Sequence, residues 1–274
     1  MADTRRAMAL LIALALAGCA TSGERAAFTR PEPGRIPVLY VIGDSTAAAY
    51  PPARYPLQGW AQALPVYLDS ERIQVENRAI SGRSAKSFLD EGAWEPVRAA
   101  LQPGDVVFIQ FGHNDQKRDD PKRHTDPDTT YREYLIRYIK ESRAAGANPV
   151  LLTSIHRNAW SGNQLRDSHG AYPEAVRALA RDADVPLIDL HARTGRLFSA
   201  LGPERATRLF INLPPGLYPN YPEGKPDNTH LTPQGAHAIS QLAARAMVEQ
   251  GLPWRHAVKP GYAITITNDS GFPK

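Results

Sequence analysis

Apolar segments that alternate with helical segments predict an α/β fold for this sequence, a three-layer α/β/α sandwich around a mainly parallel five-stranded sheet. Two observations lead to this prediction. Most of the strand-like segments are almost continuously apolar, as expected of parallel strands that are covered on both faces. Amphipathic helical segments separate them, so each strand–helix–strand unit can form a right-handed crossover. The chain has 274 residues, 42% of them apolar, which is enough for one sizeable core.

The elements are assigned in chain order from the period of their apolar residues. The predicted strands are Val38–Ile42, Ile73–Ala79, Val106–Phe111, Val150–Ile155 and Leu187–Leu190. The predicted helices are Gly59–Leu68, Trp94–Leu101, Thr130–Ala145 and Pro173–Asp182. A last helix begins after Thr232, a good N-cap, with Pro233 at the first helical position, and ends before Gly251. Further on, Ala263–Thr267 alternates like a short strand.

The first residues are interpreted as a targeting segment and not as part of the fold. Arg5 and Arg6 precede Met8–Ala17, an apolar segment that is too short to span a membrane stably. The sequence Leu16-Ala-Gly-Cys19 resembles a bacterial lipoprotein signal, which implies cleavage before Cys19 and attachment of lipid to this residue. A secretory signal with an incidental cysteine is the alternative. The chain is thus divided into a signal peptide (1–19), a linker (20–37), a main domain (38–251) and a C-terminal extension (252–274).

Composition and charge narrow the expected location and partners. Lipid on Cys19 would tether an exported protein to a membrane face, in the periplasm or at the cell surface. Ala20 resembles the sorting residue of outer-membrane lipoproteins. Cys19 is the single cysteine, so a monomer, which is the expected state, holds neither a disulfide nor a site of several thiolates. The net charge is +4 with scattered Lys and Arg, which argues against nucleic-acid binding and weakly favours an anionic substrate.

Polar clusters follow the first three predicted strands at the points where these strands end. The clusters are Gly43–Ser45, Asn77–Ser84 and Phe111–Asp115. Because the carboxyl ends of parallel strands share one edge of a sheet, where ligands bind, we expect these clusters to meet. Ser45 could attack a substrate there, with oxyanion donors from the N–H groups of Ser45 and Gly82 and the amide of Asn114. Alternatively, Asp44 or Ser45 caps a helix that follows the first strand directly, and Gly82 and Asn114 are turn residues.

A base for this serine is found directly before the last helix, in Pro226-Asp-Asn-Thr-His230. Asp227 and His230 are three residues apart, close enough in a tight loop for the carboxylate to hold an imidazole N–H. Asp-x-x-His alone is a weak signal, and a loop histidine beside an Asx-turn is the alternative. A metal-dependent hydrolase that uses His113, Asp115 and Asp227 is a further alternative. The sequence lacks Gly-x-Ser-x-Gly, so the nucleophile elbow of the α/β-hydrolases is absent.

Four short motifs together resemble, in their order, those of the SGNH (GDSL) hydrolases. They are Gly43–Thr46, the glycine block at Gly82, Gly112–Asp115 and Asp227–His230. The resemblance covers about residues 37 to 251 and implies the flavodoxin-like fold of that family. It also implies that Ser45 is the nucleophile, with His230 as base and Asp227 as its orienting acid. Ser45, Gly82 and Asn114 would supply the oxyanion hole, and neither a metal nor an organic cofactor is expected.

Within this family the sequence is most similar to the rhamnogalacturonan acetylesterases. The similar stretches are Asn77–Ser84, Phe111–Asp115, His156-Arg157 and Asp227–His230. This resemblance implies that O-acetyl groups are removed from a pectic poly- or oligosaccharide through an acetyl-enzyme. Arg83, His113, His156 and Arg157 are then candidates for contacting the substrate and its uronate carboxylates. The alternatives are a lipase, thioesterase or lysophospholipase on the same scaffold, and a lipid-anchored glycan-binding protein without activity.

Overall fold

The computed structural model describes residues 28–262, and in it a parallel sheet lies between two layers of helices. The strands are β1 (Val38–Gly43), β2 (Gln74–Asn77), β3 (Val106–Gln110), β4 (Asn148–Leu152), β5 (Trp160–Ser161), β6 (Gln164–Leu165), β7 (Leu187–Ile188), β8 (Phe210–Leu213) and β9 (Lys225–Leu231). The α-helices are α1 (Trp60–Ala63), α2 (Ala85–Asp90), α3 (Trp94–Ala100), α4 (Thr130–Ala144), α5 (Tyr172–Asp182), α6 (Leu190–Thr207) and α7 (Pro233–Glu249). Short 3₁₀ helices cover Pro52–Arg54, Leu64–Tyr67 and Pro253–Ala257.

The central sheet has five strands in the order β2-β1-β3-β4-β7, and every neighbouring pair is parallel. The predicted sheet is therefore confirmed, with strand ends that differ by a few residues. Gly43 of β1 pairs with Gln110 of β3, which pairs with Leu152 of β4. Because of this register, the residues that follow these three strands emerge at one edge of the sheet. The small β5–β6 and β8–β9 ladders are antiparallel and were not predicted.

Alternate residues of β1 pack into two separate cores, as the period of a strand requires. Leu39 and Val41 belong to the core that α1, α6 and α7 cover. Tyr40 and Ile42 belong to the core on the opposite face, which α2, α3, α4 and α5 cover. None of the four side chains is more than 5% exposed. Burial on both faces explains why the strand is continuously apolar, and it confirms the three-layer architecture.

Several helices agree with the sequence pattern, and two were missed. α3, α4, α5 and α7 begin and end within a residue or two of their predicted bounds, and the Thr232 hydroxyl caps α7 by accepting the N–H of Gly235 at 3.2 Å. α2 was missed because it has only six residues. α6 was missed because Gly202, at φ 73°, and Pro203 interrupt it.

The alternative in which a helix directly follows β1 and is capped by Asp44 or Ser45 is wrong. Residues 45–47 form a turn, and α1 begins only at Trp60. Pro51 and Pro52 lie in the intervening segment and have no backbone N–H to donate, which favours an irregular path. Ser45 therefore lies in a loop and does not cap a helix.

The termini bear on the predicted division of the chain. The signal peptide, Cys19 and the Ala263–Thr267 strand lie outside the described residues, so these assignments remain predictions. In the described part of the linker, Arg35 Nη1 donates to Asp105 Oδ1 at 2.8 Å, so this part is held against the main domain. The start of the C-terminal extension contributes Trp254 and Val258 to a hydrophobic core. Among residues 28–262, no helix combines the length and apolarity that crossing a membrane would need.

Candidate active site

Ser45 lies in the tight turn that follows β1. At Gly43 an added Cβ would lie 2.6 Å from a carbonyl oxygen of β3, so a larger residue does not fit at the end of the strand. Asp44 Oδ1 accepts hydrogen bonds from the backbone N–H of Thr46 at 2.9 Å and from its hydroxyl at 2.8 Å, which stabilises the turn. The Tyr50 hydroxyl donates to the Ser45 carbonyl at 2.7 Å. These contacts fix Ser45 at the edge of the sheet.

Asp227 and His230 project from an irregularity in the β8–β9 ladder. Residue 211 of β8 alone stands opposite residues 227–230 of β9. Extra residues in one strand form a bulge, and bulges beside active sites often redirect side chains. Asp227 Oδ1 closes the bulge by accepting the backbone N–H groups of Thr229 at 2.9 Å and His230 at 3.0 Å. The Asp-x-x-His motif is therefore a rigid projection from a strand.

The bulge brings His230 to Ser45. His230 Nε2 lies 2.9 Å from Ser45 Oγ, and His230 Nδ1 lies 2.8 Å from Asp227 Oδ2. The three predicted side chains thus form one hydrogen-bonded line. In such a line the carboxylate fixes the imidazole tautomer, and Nε2 is free to accept the serine proton.

The Asp227 carboxyl is held in its charged form. Burial raises its pKa, but hydrogen bonds from the His230 side chain and backbone, the charge of His230 and the Thr229 N–H together hold the pKa well below its ordinary value. Lys225 Nζ lies 3.4 Å from Asp227 Oδ2 and adds a positive charge. Asp227 is therefore ionised at neutral pH and can stabilise a protonated imidazole.

Each candidate oxyanion donor has an N–H hydrogen that is not used in a hydrogen bond within the described part of the protein. Gly82 adopts φ 81°, a conformation that suits glycine. The backbone N–H groups of Ser45 and Gly82 donate to no other group within residues 28–262. Asn114 Nδ2 donates one hydrogen to the carbonyl of Arg83 at 2.9 Å, and an amide carries a second one. This bond also ties the block after β3 to the block after β2.

A second aspartate–histidine pair lies behind the turn. Asp44 Oδ2 lies 3.0 Å from His113 Nδ1, and the side chains are 0% and 3% exposed. Burial raises the pKa of the Asp44 carboxyl, but the charge and hydrogen bond of His113 and the bonds from Thr46 outweigh it and lower the pKa. His113 Nε2 is buried and has no hydrogen-bond partner among the described residues. The predicted contact of His113 with substrate remains a prediction.

Asp115 is a buried carboxyl without a histidine partner. Its Oδ1 accepts the N–H of Ala85 at 2.9 Å and the hydroxyl of Thr125 at 3.1 Å. Its Oδ2 is buried without a partner in the described part of the chain. Burial raises the pKa of Asp115 to about 7. The residue joins the first turn of α2 to the loop after β3, where Asn114 lies.

The two arginines that were predicted to contact substrate have partners inside the protein. Arg83 Nη2 lies 2.6 Å from Glu91 Oε2. Arg157 Nη1 donates to the carbonyl of Ser168, and its Nη2 donates to the carbonyl of His113, both at 3.2 Å. Arg157 thus joins two loops at the sheet edge. Arg83 is thus paired with a carboxylate and Arg157 is held by backbone carbonyls, and their roles in substrate binding remain predictions.

His156 lies in a cluster with Asp167 and His191, and their ligand atoms lie within 4.8 Å of one another. The rings of His156 and His191 stack 3.9 Å apart at 25°, so their in-plane lone pairs lie in nearly parallel planes and do not converge as a tetrahedral site requires. Burial lowers the pKa of His156 to about 4. Arg177 Nη2 lies 3.5 Å from His191 Nδ1 and opposes a cation.

The structure also tests the metal-dependent alternative and shows what sequence reasoning missed. His113, Asp115 and Asp227 form no group of converging ligands within residues 28–262. Tyr50 and Lys225, which contact Ser45 and Asp227, were not singled out. The sequence gives no local signal for Tyr50, whereas the position of Lys225, two residues before Asp227 on a strand, was a possible one.

Three comparisons with known proteins bear on this site. The chain matches the family described as GDSL-like Lipase/Acylhydrolase over residues 41–238. It is 41% identical over 216 residues to rhamnogalacturonan acetylesterase RhgT of Bacillus subtilis, an alignment that covers 78% of this chain and 91% of RhgT. It is 36% identical over 220 residues to YesY, a probable rhamnogalacturonan acetylesterase of the same organism, with 80% and 96% covered.

A solved structure shows the same architecture. The crystal structure of YxiM from Bacillus subtilis matches with a TM-score of 0.69 at 29% identity. The match covers 80% of this chain and 58% of YxiM. The family match, over residues 41–238, includes the segments that carry Ser45, Asn114 and His230.

Proposed function

The chain belongs to the GDSL-like lipase/acylhydrolase family, a family of carboxylic ester hydrolases, and we propose that it removes O-acetyl groups from a pectic polysaccharide as a serine carbohydrate esterase. The observation that carries this proposal is the hydrogen-bonded line from Ser45 through His230 to Asp227. The similarity to two relatives named as established or probable rhamnogalacturonan acetylesterases supports the substrate class.

The first half of the proposed reaction forms an acetyl-enzyme. His230 Nε2 takes the proton of the Ser45 hydroxyl while Oγ attacks the acetyl carbonyl carbon, and ionised Asp227 stabilises the imidazolium. The carbonyl oxygen becomes an oxyanion that accepts hydrogen bonds from the N–H groups of Ser45 and Gly82 and from the amide of Asn114. The sugar oxygen then leaves with the proton from His230, and the acetyl group stays on Ser45 Oγ.

The second half releases acetate. His230 removes a proton from water, and the resulting hydroxide attacks the acetyl carbonyl carbon. Collapse of this intermediate breaks the bond to Ser45 Oγ, which recovers its proton from His230. The reaction as proposed requires neither a metal nor an organic cofactor.

Acetate release from acetylated pectin, measured beside acetylated xylan, tests the proposal. The Ser45→Ala variant is expected to lose kcat by a factor on the order of 10⁵ to 10⁶, as for other serine triads. Ser161→Ala, which removes an exposed hydroxyl on β5, is the matched control and is expected to match wild type. Full activity in Ser45→Ala would remove the mechanism, and exclusive use of xylan would remove the pectic substrate.

Acyl-chain length separates this proposal from a lipase or thioesterase on the same scaffold. We expect acetyl esters to be hydrolysed faster than octanoyl esters, since a longer chain needs an apolar channel beside the nucleophile. A preference for octanoyl esters would favour the lipase, and binding of glycan without any turnover would favour a non-catalytic glycan-binding protein.

We also propose that the protein is exported and anchored to the outer membrane through lipid on Cys19. The support is the signal-like sequence alone. Incorporation of a labelled fatty acid into wild type but not into Cys19→Ala is the expected result. Equal labelling of both proteins, or of neither, would contradict the proposal.

A further inference from the structure

A group of tyrosines borders the candidate active site, and we call Tyr50, Tyr55, Tyr218 and Tyr221 the tyrosine wall. One end of the wall contacts the nucleophile, because the Tyr50 hydroxyl donates to the Ser45 carbonyl at 2.7 Å. At its other end, Lys225 Nζ lies 5.7 Å from the centre of the Tyr221 ring. The same ammonium lies 3.4 Å from Asp227 Oδ2. The wall therefore runs from the nucleophile to the triad carboxylate.

The wall is a preformed unit built from two segments, residues 50–57 and 211–221. The side-chain amide of Asn220 donates to the Tyr55 carbonyl at 2.9 Å, and the Tyr221 hydroxyl donates to the Arg54 carbonyl at 3.1 Å. The Tyr55 and Tyr218 rings meet edge to face at 5.9 Å. Three of the four tyrosines, all except Tyr55, pack against the buried side chains of Leu57, Ile211 and Leu213. Preformed surfaces lose little entropy when they bind a ligand.

Part of this unit faces solvent although it is apolar. Tyr55 is 55% exposed, and Leu217, beside Tyr218, is 57% exposed. Exposed apolar side chains that are grouped at an active site mark a binding surface. A tyrosine ring offers an apolar face and a polar tip, which matches a sugar ring with its C–H faces and peripheral hydroxyls.

Lys225 supplies the charge that the wall itself lacks. An ammonium has three donors, and the one acceptor that approaches it within residues 28–262 is Asp227 Oδ2, at the long distance of 3.4 Å. By contrast, Arg83 is paired with Glu91 at 2.6 Å, and Arg157 bonds two backbone carbonyls. Asp227 also holds three hydrogen bonds from His230 and Thr229. Lys225 can therefore turn to a second carboxylate while Asp227 keeps its other partners.

We propose that Lys225 binds the carboxylate of a uronate residue in the substrate, while the tyrosine wall packs against the sugar rings beside the acetylated position. The inference rests on the proposed function and deepens it by assigning the uronate subsite to Lys225 and not to Arg83 or Arg157. A charge-assisted hydrogen bond from an ammonium to a carboxylate is stronger than one to a neutral ester. The subsite therefore selects the charged form of the sugar.

A pair of substrates that differ in one charge tests this subsite. The probes are an acetylated oligogalacturonide with free carboxylates and the same oligosaccharide with methyl-esterified carboxyls, and acetate release is measured for both. In wild type we expect kcat/KM to be about tenfold to 100-fold higher for the free acid. Lys225→Met is expected to bring this ratio to about one, whereas Lys225→Arg keeps it. The control Lys259→Met removes a lysine that bonds the Val66 carbonyl, and it is expected to keep the ratio.

The ratio separates the subsite from an indirect role of Lys225. If Lys225→Met lowers kcat/KM for both substrates equally and keeps the ratio, Lys225 acts on Asp227 and the proposed subsite is wrong. A wild-type ratio near one also overturns it. Tyr55→Ala is expected to raise KM about threefold to tenfold for both substrates alike, because ring packing does not sense the charge; an unchanged KM would remove the wall from the subsite.

Hydrolysis of p-nitrophenyl acetate distinguishes failure of this inference from failure of the proposed function. Turnover that is lost in Ser45→Ala supports the esterase whatever the ratio shows. No turnover of any acetyl ester would remove both the esterase and the subsite that depends on it.

Discussion

Two aspartate–histidine pairs lie at the same edge of the sheet, and their differences are more informative than their similarity. In both pairs a carboxylate oxygen lies close to Nδ1, at 2.8 Å for Asp227–His230 and 3.0 Å for Asp44–His113. In both, the histidine helps to lower the pKa of the carboxyl against the effect of burial. The carboxylate and imidazole alone therefore do not distinguish a base from a structural pair.

The two aspartate–histidine pairs differ in the solvent exposure of their side chains and in the partner of the histidine Nε2 atom. The Asp227 and His230 side chains are 13% and 28% exposed, and His230 Nε2 meets Ser45 Oγ. The Asp44 and His113 side chains are 0% and 3% exposed, and His113 Nε2 meets no partner in the described chain. A base must reach both a nucleophile and the solvent-borne substrate. The bulge in β9 provides this for His230, whereas the end of β3 buries His113.

Replacement of His230 and of His113 is expected to give the largest difference in kcat between the two pairs. His230→Ala is expected to lower kcat by a factor on the order of 10⁵ to 10⁶, because no base remains for Ser45. His113→Gln is expected to change kcat less than about tenfold and instead to lower the free energy of unfolding by about 1–3 kcal/mol, because the buried Asp44 carboxylate loses its hydrogen bond with His113. Acetate release and urea unfolding measure the two effects. A folded His113→Gln protein without activity would reverse the comparison.

Replacement of the two aspartates comes next in size. Asp227→Asn is expected to lower kcat about 10³-fold to 10⁴-fold, because the amide favours the wrong imidazole tautomer and does not stabilise the imidazolium. Asp44→Asn keeps the size of the side chain and is expected to affect stability more than kcat. The comparison fails if the two variants lose the same factor in kcat at equal thermal stability.

Loss of a donor from the proposed oxyanion hole is expected to give a smaller effect that depends on neither pair. Asn114→Ala is expected to lower kcat about 10²-fold to 10³-fold with little change in KM, because the lost donor serves the transition state. Steady-state kinetics with p-nitrophenyl acetate measures this. If Asn114→Ala raised KM and left kcat unchanged, Asn114 would instead bind substrate in the ground state.

Asp115 extends the comparison to a buried carboxyl that, unlike the carboxyl of Asp44, has no histidine as a hydrogen-bond partner. Its pKa is raised to about 7 from 3.8, whereas the pKa of Asp44 is lowered. Between pH 3.8 and about pH 7, the ordinary and the raised pKa of Asp115, the folded protein keeps a proton on this carboxyl that the unfolded chain releases. The contribution of Asp115 to stability therefore falls as pH rises. Asp44 acts in the opposite sense, and its contribution is lost as pH falls through its lowered pKa.

The stability of Asp115→Asn should therefore improve relative to wild type as pH rises. We expect the difference in free energy of unfolding to shift in favour of the variant by a few kcal/mol at most between about pH 4 and about pH 8. Urea unfolding at a series of pH values measures it. A difference that does not depend on pH would show that Asp115 is ionised in the folded protein throughout.

The features that could be predicted from sequence are those that the chain encodes locally. Continuous apolar segments predicted the parallel strands, because burial on both faces leaves no polar position. Motifs directly after these strands predicted that Ser45, Gly82 and Asn114 share one edge, because the carboxyl ends of parallel strands must meet there. The short or interrupted helices α2 and α6 have too weak a pattern to be recognised in this way.

The sequence by itself thus determined the class of fold, the order of the motifs and the residue types of the candidate triad. The motifs and the family resemblance also indicated His230 as the base, but only the tertiary structure shows how its ring reaches Ser45: a bulge in β9 projects His230, whereas His113 is buried. The tertiary structure also decided that Arg83 and Arg157 have internal partners and that Lys225 stands beside the tyrosine wall. These facts depend on contacts between segments that are far apart in the chain, and no local pattern of residues records which distant groups will meet.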